Sequence, residues 1–465
     1  IQGKYDAAEE SIRTAILLKG EYIEAYSLLA GVLFEKQEYQ NTIDICDYII
    51  SQDRNNGNAW YLKGLSLKQL LRIEESIAAL EGGLAVSPQD ELMRGLLELI
   101  VCTNLEIEDE RRETWASVHV EKAKVYEQRY MSSQALFEYQ RALRIHPENQ
   151  RARLAYGQAL LREGYPESYL SQLQFLVSQG YNQTSVTDII ESYSRILENS
   201  LPLQWGIDPF YINKVRWSLG VYCQKSPFTL THQMSQEITA SLFADICSTS
   251  STVKVEAAST AVSGYGEAFK NARLAKQDYF LLLTVSETDR ELRIVAQLYS
   301  ANTGNLADTF TVYRTGNDRY FFALEKLKQD LLLKIPVRGK IIDRKASVVL
   351  LDVGRKDGIT ADSKFTILKK GSISSSDTGL GIVYPTANEL GTVTIVAVGE
   401  EISQGILVQK GFYDLINVGD EIIPFVEVEE NKVTQSEKKS KKEPAVAPQV
   451  EKQVTPLYSI IQSIR

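Results

Sequence analysis

From Val118 to Asn149 the chain reads VHVEKAKVYEQRYMSSQALFEYQRALRIHPEN, whose apolar positions recur with the period of two amphipathic helices closed by Pro147. Ala123 stands three residues before Tyr126, and Ala135 is followed by Tyr139 and Ala142. The pattern also runs upstream. Adding 34 to Ala8 gives Thr42 and adding 34 again gives Ser76, three small residues in register. On the same count Tyr26 becomes Trp60, Ala30 becomes Gly64 and Leu33 becomes Leu67, and Pro88 ends the third unit. The register then breaks. Ala135 lies 59 residues after Ser76, which predicts an intervening unit about nine residues short, with a helix over Glu91–Thr103 and an acidic break, EIEDERRE. Trp115 to Gln128 reads as the resumed first helix. A further unit, with Tyr156, Gly157 and Leu160 in register, fades into one or two irregular helices, GYNQTSVTDIIESYSRILEN.

After Pro202 the period changes. Trp217–Gln224 predicts a short strand, His232–Cys247 a helix, VKVEAA a second strand and Gly266–Ala275 a helix. The runs DYFLLLTVSET, ELRIVAQLYSA and LADTFTVYRTG are enriched in β-type residues, with ETDRE and NTGN at hairpin spacing between them. A long helix, Arg319–Lys334, follows, so the order β-α-β-α-β-β-β-α implies a mixed sheet with packed helices. From Val337 onward the chain is nearly all strand: GKIIDR, SVVLLDVG, KFTILKK, GIVYP, GTVTIVAVG and GILVQK. Glycine turns at short, regular spacing predict a small barrel or sandwich. The fold class is therefore an α-solenoid, then a mixed α/β sandwich, then a small β-barrel. The expected boundaries are 1–200, 201–336 and 337–425, followed by a linker at 426–454 and a short apolar helix at 455–465.

The helical pattern resembles the tetratricopeptide repeat, a helix–turn–helix of about 34 residues that buries its apolar face only by stacking on its neighbours. In that family the first helices line a concave groove for extended or helical peptides. Carried over by register, the groove comprises Glu24, Ser27, Phe34, Asn58, Tyr61, Lys68, Lys124 and Glu127. Tyr61 and Phe34 are its expected anchors, because aromatic side chains dominate interface energetics. Residues Leu219–Cys247, AKQDYFLLLTV and LYSANTGNLADTF resemble the amino-terminal domain of TolB and related CsgG-like periplasmic domains. Lys334-Ile335-Pro336-Val337-Arg338-Gly339-Lys340-Ile341, with LLDVGRKDGI, SKFTIL and NVGDEI, resembles the carboxy-terminal domain of flagellar assembly protein T. These resemblances imply interaction modules of a periplasmic assembly.

Composition narrows the partners. A formal net charge of −9 and a pI near 5.3 argue against a nucleic-acid binder and against electrostatic docking to anionic lipid, leaving proteins. No apolar run approaches the roughly 18 residues of a membrane span. The chain opens at Ile1 inside a repeat helix, so a preceding segment carrying a signal peptide or lipid anchor is expected. Cys46, Cys102, Cys223 and Cys247 contain no C-x-x-C and read as free thiols, with a Cys223–Cys247 pairing as the weak alternative. His119, His146 and His232 lack partners at metal spacing, and phosphate-loop and nucleophile-elbow motifs are missing from the sequence. DVGRKDG lacks side-chain oxygens at the third and fifth places of a calcium loop, so Asp357–Gly358 reads as a tight turn.

The segment Val426–Val454, rich in Lys, Glu, Pro and Ala, is an expected flexible linker. Beyond it, Leu457, Ile460, Ile461 and Ile464 follow helical spacing and predict a docking peptide, in its own chain or another. Burying all four gains roughly 6–12 kcal/mol, against roughly 13 kcal/mol to order the segment, so it needs an existing apolar groove. No cofactor or metal is expected and catalysis is not indicated. The leading function is a non-enzymatic periplasmic scaffold of a bacterial envelope assembly, such as a flagellar motor collar or ring, compatible with a higher-order oligomer. The alternative is an outer-membrane lipoprotein adaptor acting on secretion or cell-wall synthesis. A third class is a hydrolase with its site between the middle and β modules.

Overall fold

Left-handed backbone conformations mark the repeat more sharply than the apolar residues do. In the computed structural model, which describes residues 3–208, 212–248, 250–257, 261–288, 290–375 and 381–425, they recur before successive second helices at Gly3, Gln37, Leu71, Tyr130 and Gly164, with Gly180 a further one outside this spacing. The intervals are 34, 34, 59 and 34. Each of Gln37, Leu71, Tyr130 and Gly164 closes a first helix with a backbone N–H bonded five residues back along the turn: Glu38 to Leu33 and Arg72 to Leu67, both 2.9 Å, then Met131 to Tyr126 at 2.9 Å and Tyr165 to Leu160 at 3.0 Å.

The helices are α1 (Tyr5–Leu18), α2 (Ile23–Glu35), α3 (Tyr39–Gln52), α4 (Gly57–Gln69), α5 (Ile73–Val86) and α6 (Glu91–Asn104). They continue as α7 (Arg111–Gln128), α8 (Ser132–Ile145), α9 (Gln150–Arg162), α10 (Pro166–Ser178) and α11 (Thr184–Ile196). Side chains of Asn56, Asp90 and Asn149 cap α4, α6 and α9, the first helices of their units. The amino-terminal part is thus a TPR-like solenoid.

The register break has a specific cause. The unit expected to be nine residues short is instead a complete first helix, α6, followed by another first helix, α7; what is lacking is a second helix. Helix α7 begins at Arg111, four residues before the expected Trp115. Buried Arg112 explains why: its guanidinium donates to the carbonyls of Val101 at 3.0 Å and Leu105 at 2.7 Å, and to that of Ile145. It therefore satisfies the end of α6, which has no following turn to do so. Where a first helix meets its second, the crossing residue is small, as at Gly64, whose missing Cβ would lie 2.7 Å from Leu80. The equivalent position of α6, 34 residues on, is Glu98.

At the start of the 201–336 stretch the short helix α12 (Leu201–Trp205) packs against the barrel through Leu201 and Trp205 on Leu350 and Ile402. The mixed module comprises β1 (Trp217–Cys223), α13 (Ser235–Ser248), β2 (Val253–Ala257), α14 (Tyr265–Leu274), β3 (Tyr279–Glu287), β4 (Glu291–Ser300), β5 (Leu306–Thr315) and α15 (Arg319–Lys334). The sheet order is β2-β1-β3-β4-β5, with β1 parallel to β2 and β3, and β3–β4 and β4–β5 antiparallel. In β4 Leu292, Ile294, Ala296 and Leu298 are buried on one face, where they share a core with α13, α15 and the solenoid. On the other face α14 covers Tyr222, Phe280 and Leu282 through Ala268 and Ala272.

Six antiparallel strands close a barrel in the order β11-β12-β7-β6-β13-β8. These are β6 (Gly339–Lys345), β7 (Val348–Leu351), β8 (Lys364–Leu368), β11 (Glu389–Val398), β12 (Ser403–Gln409) and β13 (Glu421–Pro424). The GIVYP run supplies only β10 (Ile382–Val383), which pairs with β9 (Ser374–Ser375) outside the barrel. Asp357–Gly358 forms a turn with Gly358 at φ +79°. The linker 426–454 and the tail residues Leu457, Ile460, Ile461 and Ile464 lie outside the described residues.

Buried Glu400, in the β11–β12 turn, fastens the barrel to the solenoid. Its carboxylate accepts the backbone N–H groups of Glu167 (2.6 Å) and Ser168 (2.9 Å) and the Ser168 hydroxyl, at the start of α10. Replacing Glu400 by Ala is expected to cost about 1–2 kcal/mol of unfolding free energy, as for a lost helix cap. Urea denaturation measures this, and hydrogen exchange should quicken at the start of α10 while β6–β8 are unchanged.

Candidate functional site

The inner side of the solenoid presents the fifth residue of successive first helices: Ser27 of α2, Tyr61 of α4 and Gly95 of α6. This surface is already filled by the chain itself. The stretch from Phe228 to Leu242, comprising the β1–α13 connection and the first half of α13, runs along it. Thr229, Thr231 and Gln233 close over Ser27, Ala30 and Gly31, with exposed Asn58 at the edge, leaving a residual cavity of about 20 Å³. The Tyr61 hydroxyl donates to the Gln233 carbonyl at 2.7 Å, and its ring meets His232 edge-on at 4.8 Å. Two glycines permit this approach. A Cβ on Gly31 would lie 2.9 Å from the Phe228 ring, and one on Gly95 would lie 2.6 Å from Leu242.

Adjacent acidic residues at the start of α6 grip the mixed module. Asp90 both caps α6 and bonds His232 Nε2 at 2.9 Å, while Glu287 of β3 bonds Nδ1 at 3.0 Å. Burial opposes protonation of His232, but the hydrogen bonds to Asp90 and Glu287 outweigh it and push the imidazole up to about 10. Burial likewise works against ionisation of Asp90, yet His232 holds that carboxyl below its ordinary value. Glu91 accepts the N–H of Tyr320 at 2.7 Å and of Phe321 at 3.4 Å, capping α15 from another module. Its burial pushes the carboxyl up to about 7, with the Tyr320 N–H opposing.

A second polar cluster fills the place of the missing helix. Glu98 receives Arg141 through both carboxylate oxygens at 2.8 Å, and His119 bridges Glu98 at 3.0 Å and Glu138 at 2.7 Å. Burial would raise both carboxyls. The charges of Arg141 and His119 prevail, holding Glu98 well below the carboxylate range and Glu138 down to about 2. The Arg141 guanidinium also lies 3.4 Å over the Phe321 ring, and Lys122 pairs with Asp318 at 2.6 Å, tying this cluster to α15.

The eight groove residues taken from the register therefore divide. Tyr61 is wholly buried under Gln233, and Phe34 is buried with its ring edge-on to Tyr39 at 5.4 Å. Both expected anchors face the chain's own core, because the apolar surface they offer is matched from within the molecule. Ser27 and Lys68 are half-buried, and burial lowers the Lys68 ammonium below its ordinary value. Glu24 and Asn58 are exposed; half-buried Lys124 pairs with Glu121 at 3.1 Å, and half-buried Glu127 pairs with Arg162. The sequence reading missed Gly31, Asp90, Glu91, Gly95 and His232. Gly95 was in principle findable, since it falls 34 residues after Tyr61, where a missing side chain signals a close neighbour.

The four cysteines are free thiols, so Cys223 and Cys247 are not bridged, and burial pushes both up to about 12. Among the described residues no group of three His, Cys, Asp or Glu side chains is placed to hold a metal ion, and no helix is long and apolar enough to cross a membrane.

A family model described as TPASS_0648_2nd, a second domain, matches residues 216–333, which span the mixed module. No curated protein matches the chain in sequence. Among solved structures, MamA from Desulfovibrio magneticus is 16% identical, with 39% of this chain and 89% of that chain covered, at a TM-score of 0.22. YrrB, a TPR protein with an unusual peptide-binding site, is 17% identical over 42% of this chain and 88% of that one, at 0.20. The TPR2AB domain of yeast Sti1 is 15% identical over 42% and 79%, at 0.22. The repeat architecture rests on the 34-residue register and its turn geometry rather than on these overlaps.

The joint between solenoid and mixed module should depend on pH. His232 carries a raised folded-state pKa, so its contribution is complete below about 6.5 and is lost as pH rises toward about 10. Glu91, raised to about 7, also favours the folded state most when protonated, but its loss falls between about 4.5 and 7, so His232 alone sets the trend above neutrality. The melting temperature should therefore fall from neutral to alkaline pH. In His232→Gln it should be lower at neutral pH and nearly flat across that window, as read by scanning calorimetry.

Proposed function

We propose that the protein is a non-enzymatic scaffold of a bacterial envelope assembly, in which the solenoid holds the mixed module and barrel in a fixed pose for partner proteins. The observation that carries this reading is the closed inner surface. Contacts such as Tyr61–Gln233, His232–Asp90 and Glu91–Tyr320 use the most adhesive part of the solenoid to lock modules together. A fixed geometry is what a scaffold contributes, since orientation costs are met at folding rather than at assembly.

Partner proteins would then meet the rim that stays accessible, at Glu24, Asn58, Lys124 and Glu127. Its mixed charge favours a polar partner segment over an apolar one. The particular assembly we propose is the periplasmic collar or ring of a flagellar motor, on the resemblance of the barrel sequence to flagellar assembly protein T. An outer-membrane lipoprotein adaptor for secretion or cell-wall synthesis is the competing assignment.

In-cell crosslinking with mass spectrometry should recover motor components at the rim, and Glu24→Lys with Asn58→Arg should reduce those crosslinks about tenfold without changing the melting temperature. Crosslinks to secretion or cell-wall components instead would select the competing assignment. Unchanged motility and motor structure after gene deletion would refute the flagellar role.

A further inference from the structure

The least expected surface lies at one end of the barrel, where β12 passes into the loop that returns to β13. Within seven residues of this loop Phe412 is 89% exposed, Tyr413 75%, Leu415 63% and Val418 58%. Large apolar side chains this exposed are unremarkable singly, but clustered on one projection they mark an interaction site.

The loop is built rather than loose. Gly411 and Gly419 bound it at φ +95° each, a conformation that favours glycine. Between them Ile416 turns inward and is buried in the barrel core. Arg344 of β6 pairs with Asp414 and donates to the Ile416 carbonyl, and the Asn417 N–H bonds Asp420 at 2.7 Å. The four apolar side chains are therefore held outward while one neighbour anchors the loop. The Phe412 and Tyr413 rings meet edge-on at 5.1 Å.

Exposed lysines flank the projection. Lys410 precedes it and pairs with Glu389 at 2.7 Å, and Lys369 and Lys370 emerge beside its base, where the Lys370 N–H bonds Asp420 at 3.2 Å. Lys410 and Arg344 are matched by Glu389 and Asp414, and the exposed Lys369 and Lys370 add cationic side chains beside the tip. The four side chains form a small projecting apolar tip with cationic side chains beside it, the combination that a lipid surface accepts. A bilayer demands no matching shape. It accepts aromatic and aliphatic side chains at the headgroup boundary and places lysines beside anionic headgroups.

We propose that the 411–418 loop docks the barrel on a membrane surface, with Phe412, Tyr413, Leu415 and Val418 entering the headgroup–acyl boundary of a bilayer containing anionic lipid. This goes beyond the scaffold role and does not rest on it, since it concerns lipid and is tested on purified protein.

The test is co-sedimentation of the full chain with vesicles of phosphatidylcholine alone or mixed with phosphatidylglycerol. Binding is expected to the mixed vesicles and to weaken with salt. Phe412→Ser with Leu415→Ser should weaken it at least about tenfold, given the transfer energy of two large apolar side chains. Lys369→Glu with Lys370→Glu should weaken it several-fold and flatten the salt dependence. All of these side chains are exposed, so melting curves of the variants should match the parent and separate lost binding from lost fold. Failure of the parent protein to sediment with either vesicle, or undiminished binding by the serine variant, overturns the proposal. So does concentration-dependent dimerisation without vesicles that the serine variant abolishes, which would make the loop an interface between copies.

Discussion

The interior of this protein is organised by a single protonated imidazole held between two carboxylates from different modules. His232 sits on the chain that crosses the solenoid's inner surface, Asp90 begins a repeat helix, and Glu287 ends a strand of the mixed sheet. Each of the three is costly alone, because an unpaired buried charge has no water to replace its partner, and the other two offset part of that cost. Tyr61 and Glu91 extend the same logic on either side, each satisfying a backbone group of the mixed module. The consequence is a continuous core that includes Leu65 of α4, Leu242 of α13 and Leu327 of α15. Solenoid and sheet are one packed object.

The missing second helix belongs to the same design. With no helix crossing α6 from its own repeat, position 98 needs no small residue and carries a glutamate, neutralised by Arg141 from the next repeat and by His119. On its inner side α6 is met by α13 through Gly95 and Leu242. A repeat gives up one of its own helices and gains contacts from the neighbouring repeat and from a different module.

Much of this architecture was legible in the sequence, and the division follows from physics. The 34-residue register, the succession of helices and strands along the mixed module and the strand-rich stretch 337–425 are set by local periodicity, which a sequence displays directly. The short strand at GIVYP and the early start of α7 were not legible, because the first depends on sheet closure elsewhere and the second on Arg112 reaching carbonyls up to 33 residues away. The groove was legible as a surface but not as an occupied one. Tyr61 and Phe34 are apolar enough to anchor a contact, but sequence does not say whether such a residue's counterpart is another molecule or residue 233 of the same chain. The partners of His232 were not legible for the related reason that they lie 142 and 55 residues away.

The occupied inner surface also changes the arithmetic of competition. A segment tethered to the surface it covers acts at an effective concentration on the order of millimolar. A free peptide making the same contacts, with the same intrinsic affinity, would have to reach about that concentration to hold the surface half of the time. Ordinary peptide ligands are present far below it, so the covered surface is insulated from free peptides without any change to the residues that line it.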